Sequence, residues 1–145
     1  MKDDKVFVDT NILIYAYDVS ASRKHEVARQ IVSDLWNSGH GVLSIQVLQE
    51  FFVNVTQKMP KPLDRRLARD IVADFLKWEV IINDGESILE AVDVLLRYGL
   101  SFWDALIVGA AARSGAAVLL SEDLKHGQVI HGLTIRNPFE AHPGA

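Results

Sequence analysis

The stretch Val6–Tyr17, VFVDTNILIYAY, decides how the chain is read. Val6, Phe7 and Val8 form a short unbroken apolar run, the pattern of a strand buried on both faces. The run stops at Asp9, and Thr10 and Asn11 precede the return of the apolar pattern at Ile12. An acid at the carboxyl end of the first strand of an α/β sheet stands where such sheets bind ligands. The same residues fit a plainer role, with Asp9 or Thr10 capping the helix that follows. Both readings stay open on this stretch, and acids at matching places elsewhere decide between them.

Working outward, 145 residues suffice for one substantial core, and residues 1–138 read as one domain with 139–145 as a frayed tail. The composition, 49% apolar and 23% charged, is that of an ordinary globular protein. No apolar run approaches a membrane span, and MKDDK leads straight into a strand rather than into a signal sequence. The absence of cysteine excludes disulfides and thiolate metal sites, so the expected location is the cytoplasm. Nineteen acids against 15 Lys and Arg give a net charge of −4. That balance lacks the basic excess of a protein that coats nucleic acid. It leaves a nuclease open, because an acidic metal cluster lowers the count where phosphate is handled.

From Ala21 to Ser38 the periodicity predicts a helix, with Val27, Ala28, Ile31 and Leu35 inward and Gly39 at its end. Val42–Leu43 is a short strand candidate, after which Ser44 caps a helix over Ile45–Lys58. Pro60 and Pro62 break the chain before a helix over Leu63–Trp78, with Leu67, Ile71, Phe75 and Trp78 inward. Glu79–Asn83 reads as a strand. Asp84 caps the helix Glu86–Tyr98, whose inward set is Ile88, Ala91, Val92, Leu95 and Leu96. The helix from Ser101 to Gly115 is apolar on all sides after Asp104, which predicts burial between other elements. Ala116–Leu120 and about Leu133–Arg136 complete the strands. Strands alternating with helices predict a parallel α/β sheet.

Four acids stand out by position. Asp9 ends the first strand, Glu50 lies early in the helix after the second, Asp104 opens the buried helix, and Asp123 follows the strand Ala116–Leu120. Each has a bland explanation: a helix cap for Asp104 with Ser101, a solvated helix face for Glu50, an ordinary loop for Glu122 and Asp123. Together they converge, since parallel strands bring Asp9 and Asp123 to one edge and helices starting there carry Glu50 and Asp104. Carboxylates sharing a cleft repel and titrate upward unless a cation joins them. All-oxygen ligands favour Mg²⁺ or Mn²⁺, and such ions suit phosphodiester hydrolysis.

The strings FVDTNILIYAYD, SIQVLQEFFVNV, SFWDALIVGAA and LLSEDL, in this order and spacing, resemble the PIN domain. Within it the chain is similar to the compact bacterial VapC-like ribonucleases, many of them toxins of type II toxin–antitoxin pairs. The resemblance runs from Val6 to about Pro138. It implies a three-layer α/β/α fold with a central, mostly parallel sheet of four to five strands, the first and fourth side by side. It places the metal-binding, catalytic acids at Asp9, Glu50, Asp104 and Asp123, and the residues that orient them at Asn11 and Ser121. Glu122 is an outer-ligand candidate. The implied activity is Mg²⁺-dependent endonucleolytic hydrolysis of single-stranded RNA, with Mn²⁺ as substitute, leaving a 5′-phosphate and a 3′-hydroxyl without a side-chain nucleophile. An antitoxin protein and a homodimer are the implied partners.

Basic residues offer RNA contacts at Arg65 and Arg69, in a cluster with Lys58, Lys61 and Arg66, and at Lys125 and His126 beside Asp123. A solvated helix face with an Arg66–Asp70 pair is the equal alternative for the first group. Trp103, next to Asp104, either stacks a base or belongs to the core. Against the nuclease stands a PIN fold that binds RNA or a protein without turnover, although such modules tend to lose acids and all four positions here are acidic. A phosphotransfer role for Asp9 is disfavoured, because a second aspartate two residues on would be needed and Asn11 stands there.

Overall fold

Strand β1 (Val6–Val8) is the middle of the molecule in the computed structural model, which describes residues 4–140. Parallel neighbours flank it on both sides, β2 (Gly41–Ser44) and β4 (Val118–Leu120), with Val6 opposite Gly41 and Val118. Beyond β2 lies β3 (Glu79–Ile81), also parallel. Beyond β4 lies parallel β6 (Leu133–Arg136), edged by antiparallel β5 (Val129–Ile130). The order is β3-β2-β1-β4-β6-β5, and the first and fourth strands are adjacent as the resemblance implies.

Helices α1 (Thr10–Tyr17) and α2 (Arg23–Ser38) connect β1 to β2, and α3 (Ile45–Gln57) and α4 (Arg65–Phe75) connect β2 to β3. Helices α5 (Gly85–Tyr98) and α6 (Phe102–Ser114) carry the chain from β3 back past β1 to β4. Right-handed crossovers that first step one way and then reverse put α1–α4 on one face and α5–α6 on the other. The packing of α1 on α2 and α3, of α3 on α4 and of α5 on α6 agrees with these three layers. The reversal falls between β1 and β4, the switch point at which open α/β sheets form a crevice.

Phe7 and Val8 have no exposed surface, nor do Leu43 and Leu119 on the neighbouring strands, so the runs read as buried strands are buried on both sides. Helix α6 is buried from Ala105 through Ala111, as its all-round apolar sequence predicts. Phe51, Phe75, Tyr17 and Trp78 pack edge to face beneath α3 and α4, each pair adding about 0.5–1.5 kcal/mol beyond burial. Gly41 is glycine because Trp78 lies on it: a Cβ there would stand 2.4–2.8 Å from three atoms of the indole.

Three expectations change. The sheet has six strands rather than four to five, because β5 is two residues long, below the reach of any periodicity. On α5 the buried residues are Ser87, Ala91 and Val94. Small side chains let α6 approach closely, and Ile88, Val92 and Leu96 are left exposed together with Leu89. For the same reason Ala68 rather than Leu67 is the buried residue early in α4. Among the described residues no single helix is long and apolar enough to cross a membrane; α5 and α6 qualify only jointly, and they meet at 112°. Most of the stretch read as a tail, 141–145, lies outside the described residues, while Phe139 at its start packs on Tyr15.

Candidate active site

Asp9 closes β1 and opens α1. Its carbonyl accepts from Ile12 and Leu13, so it is the helix cap, and its amide donates to the Leu120 carbonyl, which ties it to the end of β4. The carboxylate is nonetheless buried, with 5% of the residue exposed. Oδ1 accepts from the Thr10 amide at 2.7 Å and Oδ2 from the Ser121 hydroxyl at 2.8 Å. Burial pushes the Asp9 pKa up to about 7; these two donors hold it back, and repulsion from Asp104 and Asp123 adds to the rise. The capping role and the site role therefore coexist in one residue.

Glu50 arrives on the second turn of α3, whose start is fixed by Ser44 accepting from the Val47 amide. Thr10 Oγ1 donates to its Oε1 at 2.6 Å and Gln46 Nε2 to its Oε2 at 3.2 Å. Gln46 Nε2 also reaches the Trp103 carbonyl at 3.3 Å, linking α3 to the start of α6. Asp104 sits in the first turn of α6, where the Ser101 side chain accepts from its amide. Its carboxyl is raised above the usual range, first by burial and then by repulsion from Asp123 and Glu50, with Ser101 opposing. Asp123 follows β4 on a loop and is exposed; Asn11 Nδ2 donates to its Oδ2 at 2.9 Å, and its amide donates to Ser121 Oγ at 3.2 Å.

The four acids thus come from four separate segments; the charges of Asp104 and Asp123 reach Asp9, and those of Asp123 and Glu50 reach Asp104. Among the described residues none of them is paired with a lysine or arginine. Nor do any three of the described His, Asp and Glu side chains close into a finished ligand set. One further feature of the cleft fits a hard cation with its water shell. Gln46 Oε1, beside Glu50, is the only buried side-chain acceptor without a donor among the described residues. An uncompensated group of oxygen donors is the chemistry that Mg²⁺ or Mn²⁺ completes.

Glu122 turns away from this group. Its Oε1 accepts from the Tyr15 hydroxyl at 2.7 Å and its Oε2 pairs with Lys24. Burial alone would raise its pKa, but the Lys24 and Tyr15 donors outweigh that and lower it. His126 Nδ1 accepts from the Asn137 amide in the turn after Asp123, and Lys125 beside it is exposed. Arg65 and Arg69 are exposed on α4, where Asp70 pairs with Arg69 rather than Arg66, and among the described residues neither arginine forms an ion pair with the four acids. Trp103 is 62% exposed beside Asp104, which places it on the surface and not in the core. Thr10 and Gln46 were not marked as site residues by the sequence. Their signal is spacing alone, one residue after Asp9 and one helical turn before Glu50.

The fold and this cleft define a class, and the PIN domain profile matches residues 6–130. The chain belongs to the PIN domain family. Solved structures share its fold. A toxin–antitoxin complex from Klebsiella pneumoniae has a TM-score of 0.68 at 20% identity, covering 94% of this chain and 99% of the other. VapC20 of Mycobacterium tuberculosis, a toxin that cleaves the sarcin–ricin loop, has a TM-score of 0.63 at 21% identity, covering 82% and 90%. DNA-bound VapBC of Salmonella typhimurium has a TM-score of 0.63 at 22% identity, covering 92% and 98%. Among curated proteins none matches the chain.

Proposed function

We propose that the protein is a metal-dependent endoribonuclease and the toxin of a toxin–antitoxin pair, acting on single-stranded RNA in the cytoplasm. The observation that carries this reading is the convergence of Asp9, Glu50, Asp104 and Asp123 at the switch point, where neighbouring carboxylates raise the pKa of Asp9 and Asp104 and no lysine or arginine among the described residues pairs with any of the four. PIN-family membership and the fold shared with toxins of this kind support it.

Asp9, Glu50, Asp104 and Asp123 would hold Mg²⁺, or Mn²⁺ in its place. The bound ion would activate water and neutralise charge on the phosphate and the leaving oxygen. The chain's own part is positional. Ser121 and Thr10 fix the buried Asp9 carboxylate, Thr10 and Gln46 orient Glu50, and Asn11 orients Asp123. Asp9, poised near 7 without a cation, ionises at neutral pH once positive charge is supplied. Lys125 and His126, next to the acids in the chain, are better placed for RNA phosphate than Arg65 and Arg69 on α4.

The fold shared with a toxin–antitoxin complex supports an antitoxin as partner. A homodimer is supported by α5, whose exposed row Ile88, Leu89, Val92 and Leu96 leaves a large apolar stripe in water. An antiparallel second copy would set Glu86 in the first turn against Arg97 in the last.

The test is incubation of a single-stranded RNA pool with the purified protein in Mg²⁺, in Mn²⁺ and in EDTA. Metal-dependent internal cleavage with 5′-phosphate ends is expected. RNA retained without cleavage in either metal would favour the binding module instead.

A further inference from the structure

Glu122 lies between Ser121 and Asp123, yet its carboxylate faces away from the acids and is occupied twice over. Tyr15 on α1 donates to one oxygen, and Lys24 in the first turn of α2 pairs with the other. The Lys24 ammonium is itself fixed, 5.2 Å from the centre of the Tyr15 ring and 5.5 Å from that of Phe139. Those two rings pack edge to face at 5.2 Å. Lys24 thus has a carboxylate on one side and two aromatic faces around it, an arrangement in which cation–π attraction adds to the ion pair.

The backbone of the same residue is held as well. The Glu122 amide donates to Asn11 Oδ1 at 3.3 Å, and the same Asn11 side chain donates to Asp123 Oδ2. Asn11 and Tyr15 are one turn apart on α1, so that helix grips the loop at two points, through the backbone of Glu122 and through its side chain. Asp123 needs such a hold. It is exposed, it belongs to no helix or strand, and its carboxylate stands near enough to Asp9 and Asp104 to raise their pKa values.

We infer that Glu122, with Lys24 and Tyr15, is a latch that holds Asp123 in the carboxylate group, a positioning residue and not a ligand. The inference rests on the proposed reading of the cleft only in what the held carboxylate is for; the holding itself is a property of the loop. It assigns a task to Lys24 and to the aromatic pair Tyr15–Phe139 that the nuclease reading leaves without one.

The test compares wild type with Glu122→Gln, Lys24→Met and the double variant, all without added metal, by amide hydrogen exchange. The amides of Glu122 and Asp123 are expected to exchange at least tenfold faster in each variant, with the double no faster than the singles. Those of Leu119 and Leu120 in β4 should be unchanged. Slow exchange at 122 and 123 in both single variants would overturn the latch. Titration with Mn²⁺ alone supplies the second arm. A latch predicts that Glu122→Gln and Lys24→Met weaken Mn²⁺ binding to the same degree, about three- to tenfold. Loss of binding in Glu122→Gln with wild-type binding in Lys24→Met would make Glu122 a ligand and refute the inference. Wild type that takes up no Mn²⁺ and cleaves no RNA would defeat the proposed function, while exchange at 122 and 123 would still decide whether the latch holds the loop.

Discussion

The hydroxyl of Ser121 donates to Oδ2 of Asp9 at 2.8 Å, joining residues 112 positions apart across the seam between β4 and β1. The contact exists because two parallel strands end side by side, one in an acid and the other in a small hydroxyl residue. It sets the electrostatics of the cleft: Asp9 is buried, and Ser121 is the largest influence holding its pKa down.

Ser121→Ala should therefore destabilise the protein in a pH-dependent way. Ser121 stabilises the ionised form of Asp9, which prevails above about pH 7. The expected loss is about 1–3 kcal/mol at pH 8 and less at pH 5, where Asp9 is protonated. Urea denaturation in EDTA at the two pH values checks this, and an equal loss at both would show that the hydrogen bond does not sense the charge.

Asp9→Asn should behave in the opposite sense. Because the folded-state pKa is raised from 3.8 to about 7, the folded protein binds this proton more tightly than the unfolded chain. Stability without metal then falls as pH rises through that window, by at most about 4 kcal/mol for three pKa units. The asparagine variant removes the slope, so it should be the more stable protein at pH 8 and no more stable at pH 4. Denaturation midpoints across pH 4–8 in EDTA measure the difference, and a variant less stable at pH 8 would contradict it.

Gly41→Ala should cost about 1–3 kcal/mol by overpacking, since the new methyl meets the Trp78 ring at 2.4–2.8 Å. Trp78→Phe on that background makes room and should restore part of the loss. Thermal melting with tryptophan fluorescence follows both changes. A neutral Gly41→Ala would mean that Trp78 moves aside freely.

Leu89→Glu with Leu96→Glu should leave the fold intact, because both side chains are exposed on α5, and should turn a dimer into a monomer. Sedimentation equilibrium decides it. A dimer that survives both substitutions would place the interface elsewhere.

Much of this was legible in the chain itself. The apolar runs at Val6–Val8 and Ala116–Leu120 announce buried parallel strands, and the acids at their ends fall together for the same topological reason. The all-apolar stretch after Asp104 gives away the buried helix. What periodicity misreads is α5, where apolar residues cover so much of the circumference that only packing against α6 selects Ser87, Ala91 and Val94 as the inner face. A two-residue strand such as β5 carries no pattern to read. The direction of Glu122 was equally hidden: two adjacent acids look alike in sequence, and only the positions of Tyr15 and Lys24 separate one from the other.

Asp9, Glu50, Asp104 and Asp123 are expected to act as one cation site although four segments supply them. Titration calorimetry with Mn²⁺ on wild type, Asp9→Asn and Asp104→Asn tests it most directly. Wild type should bind, with proton release near pH 7 as Asp9 ionises, and each variant should lose at least tenfold in affinity. Wild type that binds no Mn²⁺, or variants that bind it as wild type does, would contradict the claim.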